Sequence, residues 1–274
     1  MINQKIRACI FIHYSTVNTI PYYVELYISQ LANHFDKIKV LTNNLNINQE
    51  NIFFKENVEF VHFKNQGYDF GMFYNYIKNE NLDDFSQLGI VNDSNILLNK
   101  LNPVFHWGNN EEHDFWGIID SHEKPWFSSH DSNYHVQSHF LVLNENAIKE
   151  LPSFFESMDI VKILNETDLK KLRRMVIDQW EIGLTQYLIK QGLIPGSFIS
   201  SLKMHIKYQP KKQNLTHSIY HELASEGYPL LKKKVALEKK SIFKNTKEKW
   251  KKTIHEFGYH RWDTTKIVDS IHEI

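Results

Sequence analysis

The 274-residue sequence predicts an α/β fold in which a mixed, mostly parallel sheet is flanked by helices. Two observations carry this prediction. Short apolar runs typical of buried strands alternate with segments whose apolar residues recur at helical spacing. Their order along the chain is strand, helix, strand, strand, helix and strand. That order is typical of a sheet with parallel neighbours.

The first half of the chain shows this pattern most clearly. Residues 6–12 form a short apolar run rich in β-branched side chains, which predicts a buried first strand. Pro21 then begins a helix, because the first turn has no use for the N–H that proline lacks. The core-facing stripe of this helix consists of Val24, Tyr27, Ile28, Leu31 and Phe35. Further strands are predicted at residues 38–41, 58–63 and 88–91, with a helix beginning near Phe70.

The second half is less regular. We predict strands at residues 114–119 and 140–143, with a polar loop at 122–133 between them. A short helix at 145–150 and a long helical stretch at 166–191 follow, and Gly192 is the expected C-terminal cap of the latter. From Asn214 onward the chain is basic and helix-prone. We therefore predict a main domain over residues 1–213 and a helical extension over 214–274 packed on it.

Composition restricts the class of protein. The single cysteine, Cys9, excludes an internal disulfide framework and fits a reducing compartment. There is no apolar run of about 18–20 residues and no export signal, so we expect a cytoplasmic protein. The formal net charge of zero is a cancellation, because ten lysines and only two glutamates lie between Lys232 and Lys252.

Two short motifs predict a ligand site. Residues 65–71 (NQGYDFG) form a glycine-bracketed turn that opens a helix, where backbone N–H groups are free to bind an anion. Residues 89–94 (GIVNDS) form an apolar strand that ends in polar side chains, at the sheet edge where ligands usually bind. Together they indicate a phosphorylated ligand, and a nucleotide-sugar fits best. The candidate donor-binding residues are Gly67, Tyr68, Asp69, Asn92, Asp93 and Ser94.

Six motifs, in the same order and with matching spacing, resemble the rhamnan synthesis protein F family. They are residues 65–71, 92–94, 114–117 (DFWG), 135–141 (HVQSHFL), 181–185 (EIGLT) and 227–233 (GYPLLKK). The resemblance implies a GT-A-like, Rossmann-related fold. It also implies a glycosyltransferase of bacterial surface-polysaccharide assembly that uses a nucleotide-sugar, often dTDP-rhamnose, and a glycan or lipid-linked glycan acceptor.

The candidate general base is a carboxylate. Glu181 precedes a glycine-capped helix end, which resembles the placement of the catalytic carboxylate in many inverting GT-A enzymes. An ordinary helix-start glutamate would look the same. Asp114 is the rival, because Phe115 and Trp116 could form an apolar wall around its carboxyl group. Asp69 is assigned to the base or ribose of the donor, with helix capping as the alternative.

Metal use is an open question. GT-A enzymes usually carry two carboxylates in an Asp-x-Asp motif, whereas residues 92–94 supply only Asp93. Mg²⁺ or Mn²⁺ bound through that one carboxylate and the donor phosphates is therefore an expectation, with a strand-terminal turn as the alternative. The histidines lack the Cys/His spacing of a zinc site. His135 and Gln137 are assigned to acceptor hydroxyls, together with Trp116.

The lysine-rich segment has two candidate roles. Lys232, or its neighbour Lys233, could neutralise the departing diphosphate. The remainder forms a membrane-facing stripe, with Leu231, Val235 and Ile242 on one helical face and Trp250 near its end. It predicts a helix lying on an anionic membrane surface, unless those residues pack on the protein itself. Nucleic acid is not expected, because no aromatic-lined groove accompanies the charge.

The predicted function is transfer of rhamnose or another deoxyhexose to a growing surface polysaccharide or lipopolysaccharide, with inversion. Two alternatives stay open. One is a non-catalytic glycan-binding or scaffolding subunit that tolerates the loss of the second carboxylate. The other is a different nucleotide-dependent transferase, such as a glycerol-phosphate transferase, although that activity would call for more phosphate-binding histidine and arginine residues.

Overall fold

A computed structural model describes residues 4–47, 56–211, 214–237 and 246–271 of the chain. Ten strands are present in these ranges. They are β1 (Ile6–His13), β2 (Lys37–Thr42), β3 (Val58–His62), β4 (Phe85–Asn92), β5 (Asn95–Leu97), β6 (Phe115–Ser121), β7 (His135–Val136), β8 (Phe140–Asn144), β9 (Pro195–Ile199) and β10 (Leu230–Lys232).

The helices before Gly192 are α1 (Tyr22–Leu31), α2 (Tyr68–Ile77), α3 (Asn102–Asn110), α4 (Glu145–Lys149), α5 (Leu151–Glu156), α6 (Ile160–Asn165), α7 (Leu169–Val176) and α8 (Gly183–Lys190). A 3₁₀ turn covers Leu82–Asp84, and a π-helix covers Ile177–Ile182. The later helices are α9 (Ser201–Tyr208), α10 (Leu215–Ser218), α11 (Tyr220–Ser225), α12 (Lys233–Leu237), α13 (Thr246–Phe257) and α14 (Thr264–Ser270).

The main sheet has the order β3-β2-β1-β4-β8-β6-β7, and β9 pairs with β6. The β3-β2-β1-β4 half is parallel, and β9 runs parallel to β6. Strand β8 runs antiparallel to both of its neighbours. The predicted fold class, a mixed and mostly parallel sheet flanked by helices, is therefore confirmed.

Two apolar layers cover the sheet, because successive side chains of a strand point to opposite faces. Cys9 and Phe11 of β1 belong to one layer, which also contains α1 and the C-terminal helices. Ala8, Ile10 and Ile12 belong to the other layer, which contains α2 and α7. Every residue of the predicted α1 stripe is buried. The connections that follow the neighbouring strands β1 and β4 run in opposite directions. In such sheets, ligands usually bind at the carboxyl ends of these two strands.

The C-terminal segment is not wholly helical. Strand β10 pairs antiparallel with β5, so that Lys232 stands opposite Asn95. Trp250, Ile254 and Ile267 share an apolar layer with α1. The backbone N–H of Tyr23 donates to the hydroxyl of Ser270 over 3.3 Å. These contacts hold the segment against the main sheet, while the predicted boundary at residue 213 lies outside the described residues and stays a prediction.

Candidate functional site

The site lies where β1 and β4 end, at the point where the order of the parallel strands reverses. A cavity of about 210 Å³ opens here between these strand ends, α2 and the π-helix. Its polar lining comprises Asp69, Asn92, Ser138 and Glu181, with the exposed Arg173 also on its wall. Its apolar lining includes Ile12, Phe73, Ile90 and Trp180. The topology therefore brings side chains from four distant parts of the sequence to one cavity.

The glycine turn before α2 is as constrained as the motif predicts. Gly67 has a φ of 78°, in the left-handed region, and Tyr68 follows with a φ of 56°. A Cβ atom on Gly71 would lie 1.7 Å from the carbonyl oxygen of Gln66. No side chain caps the first turn of α2. Glycine is thus required at position 71, and the backbone N–H groups of the first turn are left to another partner.

Asp69 does not cap the helix that carries it. Its carboxylate instead accepts a hydrogen bond of 2.5 Å from the Asn92 side-chain amide at the end of β4. Burial raises the pKa of Asp69 to about 6, and the nearby negative charge of Asp93 acts in the same direction. The Asn92 hydrogen bond and Lys232 oppose this shift in pKa without cancelling it. Asp69 and Asn92, 23 residues apart, therefore form one polar unit.

The polar network continues from Asn92 to the lysines. The Ser94 hydroxyl donates to Oδ1 of Asn92 over 2.5 Å. The ammonium of Lys232 donates to that hydroxyl over 3.5 Å. Burial lowers the pKa of Lys232 to about 8, against the opposing effects of Glu181 and Asp69. The pairing of β5 with β10 thus delivers a partly buried cation to the end of β4.

Lys233 is a residue of the site that the sequence predicted only as an alternative to Lys232. Its ammonium donates to Oδ2 of Asp93 over 3.0 Å, and both side chains are largely buried. Its backbone N–H also donates to the carbonyl oxygen of Ser94 over 2.8 Å. The repeated basic pair in the motif of residues 227–233 was a signal for it. The partner of Lys233 could not be inferred, because 140 residues separate it from Asp93.

Glu181 reaches the cavity from the π-helix. Six-residue segments of this kind are rare and are often found at functional sites. The Ser138 backbone N–H lies 3.5 Å from Oε1 of Glu181 and donates to it. The neighbouring Trp180 packs against Phe70 of α2, with the ring centroids 5.2 Å apart. Since Phe70 follows Asp69 and Trp180 precedes Glu181, this aromatic contact helps to hold the two carboxylates at one cavity.

Asp114, the rival base, lies elsewhere. Asp114 lies just before β6, and its carbonyl oxygen accepts a hydrogen bond from the Asn144 N–H of β8. Asn144 pairs in turn with Gln87, at the end of β4 that is opposite to the cavity. Five residues of strand separate Gln87 from Asn92, which is roughly 16 Å. The Asp114 carboxylate accepts hydrogen bonds from the Ile194 N–H and the Asn146 amide. The structure therefore does not support Asp114 as the base.

The predicted acceptor residues are also displaced from the cavity. Trp116 is fully buried in the apolar core between Phe105 and Phe140, so the prediction that it contacts the acceptor is wrong. His135 and Gln137 are buried, and neither lines the cavity. The His135 ring bonds the Asn133 carbonyl oxygen over 2.8 Å. Gln137 is nevertheless adjacent to Ser138, which contacts Glu181.

The membrane-facing stripe is contradicted in part. Leu231 and Trp250 are buried in the core, and Val235 packs against it, so none of them is available for insertion into lipid. Ile242 lies outside the described residues. Among the residues that the structure does describe, every helix is too short or too polar to span a bilayer. Electrostatic attraction of the exposed Lys251 and Lys252 to an anionic surface stays a prediction.

The described residues do not form a divalent-metal centre from protein ligands alone. In the four described ranges, no three His, Cys, Asp or Glu side chains are grouped as metal ligands. The Asp93 carboxylate already pairs with Lys233, and the Asp69 carboxylate is bonded to Asn92. The place that a cation would take beside Asp93 is therefore held by an ammonium group of the chain itself.

Fold and site together define an α/β protein with a cavity at the switch point of its sheet, lined by carboxylates and backed by two lysines. The sequence model of rhamnan synthesis protein F matches residues 38–256, and the chain belongs to this family. A comparison with curated proteins finds no match.

Among solved structures, the chain is similar to the glycosyltransferase GlyE of Streptococcus pneumoniae TIGR4, with 14% identity and a TM-score of 0.46. The match covers 99% of this chain and 64% of GlyE, so the chain spans less than two thirds of that protein. It is also similar to 4-diphosphocytidyl-2C-methyl-D-erythritol synthase of Anaerococcus prevotii DSM 20548, with 8% identity and a TM-score of 0.43. That match covers 72% of this chain and 89% of the synthase.

Proposed function

We propose that the protein is a glycosyltransferase that moves rhamnose or another deoxyhexose from a nucleotide-diphosphate donor to a growing surface polysaccharide or lipopolysaccharide, with inversion. Membership of the rhamnan synthesis protein F family supports the class of reaction and the polymer. The observation that carries the proposal is the convergence of Asp69, Asn92, Lys232 and Glu181 on one cavity and its immediate edge.

The donor is assigned by charge. Lys232 and Lys233 offer two ammonium groups beside Ser94, which suits a diphosphate. The Asp69 carboxylate would repel phosphate. It is therefore suited to accept a hydrogen bond from the ribose or the base of the nucleotide. A cavity of about 210 Å³ is smaller than the roughly 300–1,000 Å³ typical of ligand sites, so part of the nucleotide-sugar extends beyond it along the sheet edge.

The chemistry follows from the placement of the charges. Glu181 takes the proton from the acceptor hydroxyl as that oxygen attacks the anomeric carbon. The bond from the anomeric carbon to the diphosphate breaks, and the bonding electrons leave with the diphosphate. Lys232 and Lys233 stabilise the negative charge that develops there. Asp69 and Glu181 both line the cavity, but Asp69 is bonded to Asn92 and assigned to the nucleoside. One carboxylate is then left for the reaction, which supports direct displacement, and hence inversion, over a double displacement.

Thermal-shift measurements against UDP-, GDP- and dTDP-sugars, with and without Mn²⁺, test the donor assignment. Binding to the folded state raises the midpoint of unfolding, by an amount equivalent to about 2.7 kcal/mol at 100 times Kd. We expect dTDP-rhamnose to stabilise the wild type and Lys203→Met, an exposed control, but not Lys232→Met. Absence of stabilisation by every nucleotide-sugar would contradict the proposal.

Turnover separates the enzyme from the alternative of a non-catalytic subunit. The proposed enzyme releases dTDP from dTDP-rhamnose when a glycan acceptor is added, and this release can be followed by chromatography. A protein that binds the glycan but releases no nucleotide diphosphate from any bound donor would be a binding subunit instead.

A further inference from the structure

The loop between β6 and β7 carries the most exposed aromatic side chain of the described residues. Trp126 has a relative exposure of 80%, whereas the other described tryptophans are buried or partly buried. A single exposed indole is common on protein surfaces, but one that is held in place beside a cavity can serve as a contact for a ligand. The question is therefore whether Trp126 is fixed, and where it stands relative to the cavity.

Trp126 is fixed on two sides. The guanidinium carbon of Arg174 lies over the indole, 4.7 Å from the ring centroid, in a cation–π contact. Phe127 meets it edge-on, with the ring centroids 5.7 Å apart. With Arg174 over one face, the exposed surface belongs to the opposite face and the outer edge. These two contacts favour one orientation of the indole, which leaves a flat platform open to a ligand.

The loop is anchored to the π-helix that carries Glu181. Asp178 accepts two hydrogen bonds of 2.8 Å, from the backbone N–H and the hydroxyl of Ser129. The His130 ring bonds the Asp178 carbonyl oxygen over 2.9 Å. Asp178 precedes Glu181 by three residues. The platform and the proposed base are therefore parts of one rigid assembly.

The loop also stands at the correct edge of the sheet. Strand β6 runs parallel to β4, and the Gln137 N–H bonds the Ile119 carbonyl oxygen at the level of Asn92. Ser121, the last residue of β6, extends two residues past that level. The loop that follows overhangs the carboxyl edge, beside the cavity. Arg173, which lines the cavity, is adjacent in sequence to Arg174 beneath the indole.

We propose that Trp126 is an acceptor subsite on which one pyranose ring of the glycan stacks, which presents a neighbouring hydroxyl to Glu181. The inference rests on the proposed function. The C–H face of a sugar ring carries partial positive charge, and the face of an indole carries negative charge, so the two attract. A deoxyhexose, with a methyl group in place of a hydroxymethyl, adds apolar surface to this contact.

The test is binding of a rhamnose trisaccharide to the full chain, measured by calorimetry. We expect Trp126→Ala to weaken this binding roughly 3- to 10-fold, which is the range for one aromatic stacking contact, and Trp126→Phe to restore most of it. Ile194→Ala is the matched control, because Ile194 is 52% exposed but lies at the opposite edge of the sheet, and it should bind like the wild type.

Stabilisation by dTDP-rhamnose should be the same in Trp126→Ala and the wild type, so a failed subsite is distinguishable from a failed donor assignment. Equal trisaccharide affinity of Trp126→Ala and the wild type would overturn the subsite. So would absence of binding to the wild type at millimolar trisaccharide. If Trp126→Ala lost binding to phosphatidylglycerol vesicles but bound the trisaccharide like the wild type, Trp126 would be a membrane contact and the acceptor subsite would be overturned.

Discussion

The Asp93 carboxylate accepts a hydrogen bond of 3.0 Å from the ammonium of Lys233, which lies 140 residues further along the chain. Only 11% of the Asp93 side chain and 17% of the Lys233 side chain are exposed. Removal of one partner from a pair so sheltered from water strongly destabilises the protein, because the other charge is left buried alone. The pair also brings the C-terminal segment to the end of β4.

A double-mutant cycle tests the energetic importance of this pair. We expect Asp93→Ala and Lys233→Met each to lower the free energy of unfolding by about 1–3 kcal/mol. The double variant should be more stable than the sum of the two losses predicts, by on the order of 1–2 kcal/mol. It should not recover turnover, because the cation is absent. Urea denaturation gives the stabilities, and nucleotide release gives the turnover.

The exposed pair of Lys207 and Glu226 is the control for this cycle, with 55% of the lysine side chain in solvent. Its coupling should stay below about 1 kcal/mol. Equal coupling energies in the two cycles would contradict the importance assigned to the Asp93–Lys233 pair.

Removal of divalent metal should leave the reaction unchanged. The cation beside Asp93 is Lys233, and the described residues offer no group of three metal ligands. We therefore expect EDTA to alter neither binding of the donor nor its turnover, whereas Lys232→Met should reduce both. Loss of turnover in EDTA, with recovery on addition of Mn²⁺, would refute this account of the leaving-group charge.

The turn before α2 should tolerate no side chain at position 71. A methyl group there would meet the Gln66 carbonyl oxygen, so Gly71→Ala is expected to destabilise the protein by more than about 2 kcal/mol and to abolish stabilisation by the donor. Gly192→Ala is the control. Gly192 has a φ of 83°, and a Cβ atom added to it would meet nothing within 4 Å, so its substitution should cost about 1 kcal/mol. Similar costs at both positions would argue against a tight turn.

Stability should depend on the protonation of Asp69. Its pKa is about 6 in the folded protein against an ordinary value of 3.8, so the folded state holds the proton more tightly. This contribution to stability is complete below the ordinary pKa and is lost as the pH rises through about 6. Asp69→Asn, which keeps an acceptor for Asn92, should therefore be more stable than the wild type above neutral pH.

The expected gain is about 1–3 kcal/mol, reduced by the lost attraction for Lys232, and it should disappear below about pH 4. Urea denaturation above neutral pH and below about pH 4 measures this difference in the free energy of unfolding. Asp131→Asn, at an exposed loop position, is the matched control. A gain for Asp69→Asn that is the same at both pH values would show that this carboxylate keeps an ordinary pKa.

The local parts of the fold could be predicted from the sequence. Helical spacing identified α1, and apolar runs identified β1, β4 and β8, because each of these patterns depends on residues close together in the chain. Strand β10 could not be identified. It has three residues, and only its pairing with β5 makes it a strand, so no local pattern distinguishes it from a helix start.

The motifs identified Asp69, Asn92 and Glu181 as site residues. They could not show that Trp116 is buried and that Trp126 is exposed. Strand β6 is covered on both faces, so Phe115 and Trp116 are both buried and the alternation that marks a solvent face is absent. Asp114 was misplaced for a geometric reason, since a residue before a parallel strand lies at the edge opposite the ligand. Arg173, Val176 and Trp180, spaced at three and four residues, were a helical signal for the cavity wall that was missed.

Binding and turnover of one donor by Glu181→Gln test the central claim most directly. The substitution keeps the size of the side chain and removes only the proton acceptor. We predict an unchanged Kd for dTDP-rhamnose and a loss of turnover by a factor on the order of 10²–10⁴. Asp114→Asn, at the opposite edge of the sheet, should match the wild type in both measurements. Wild-type turnover by Glu181→Gln, above all if Asp114→Asn were inactive, would contradict the account.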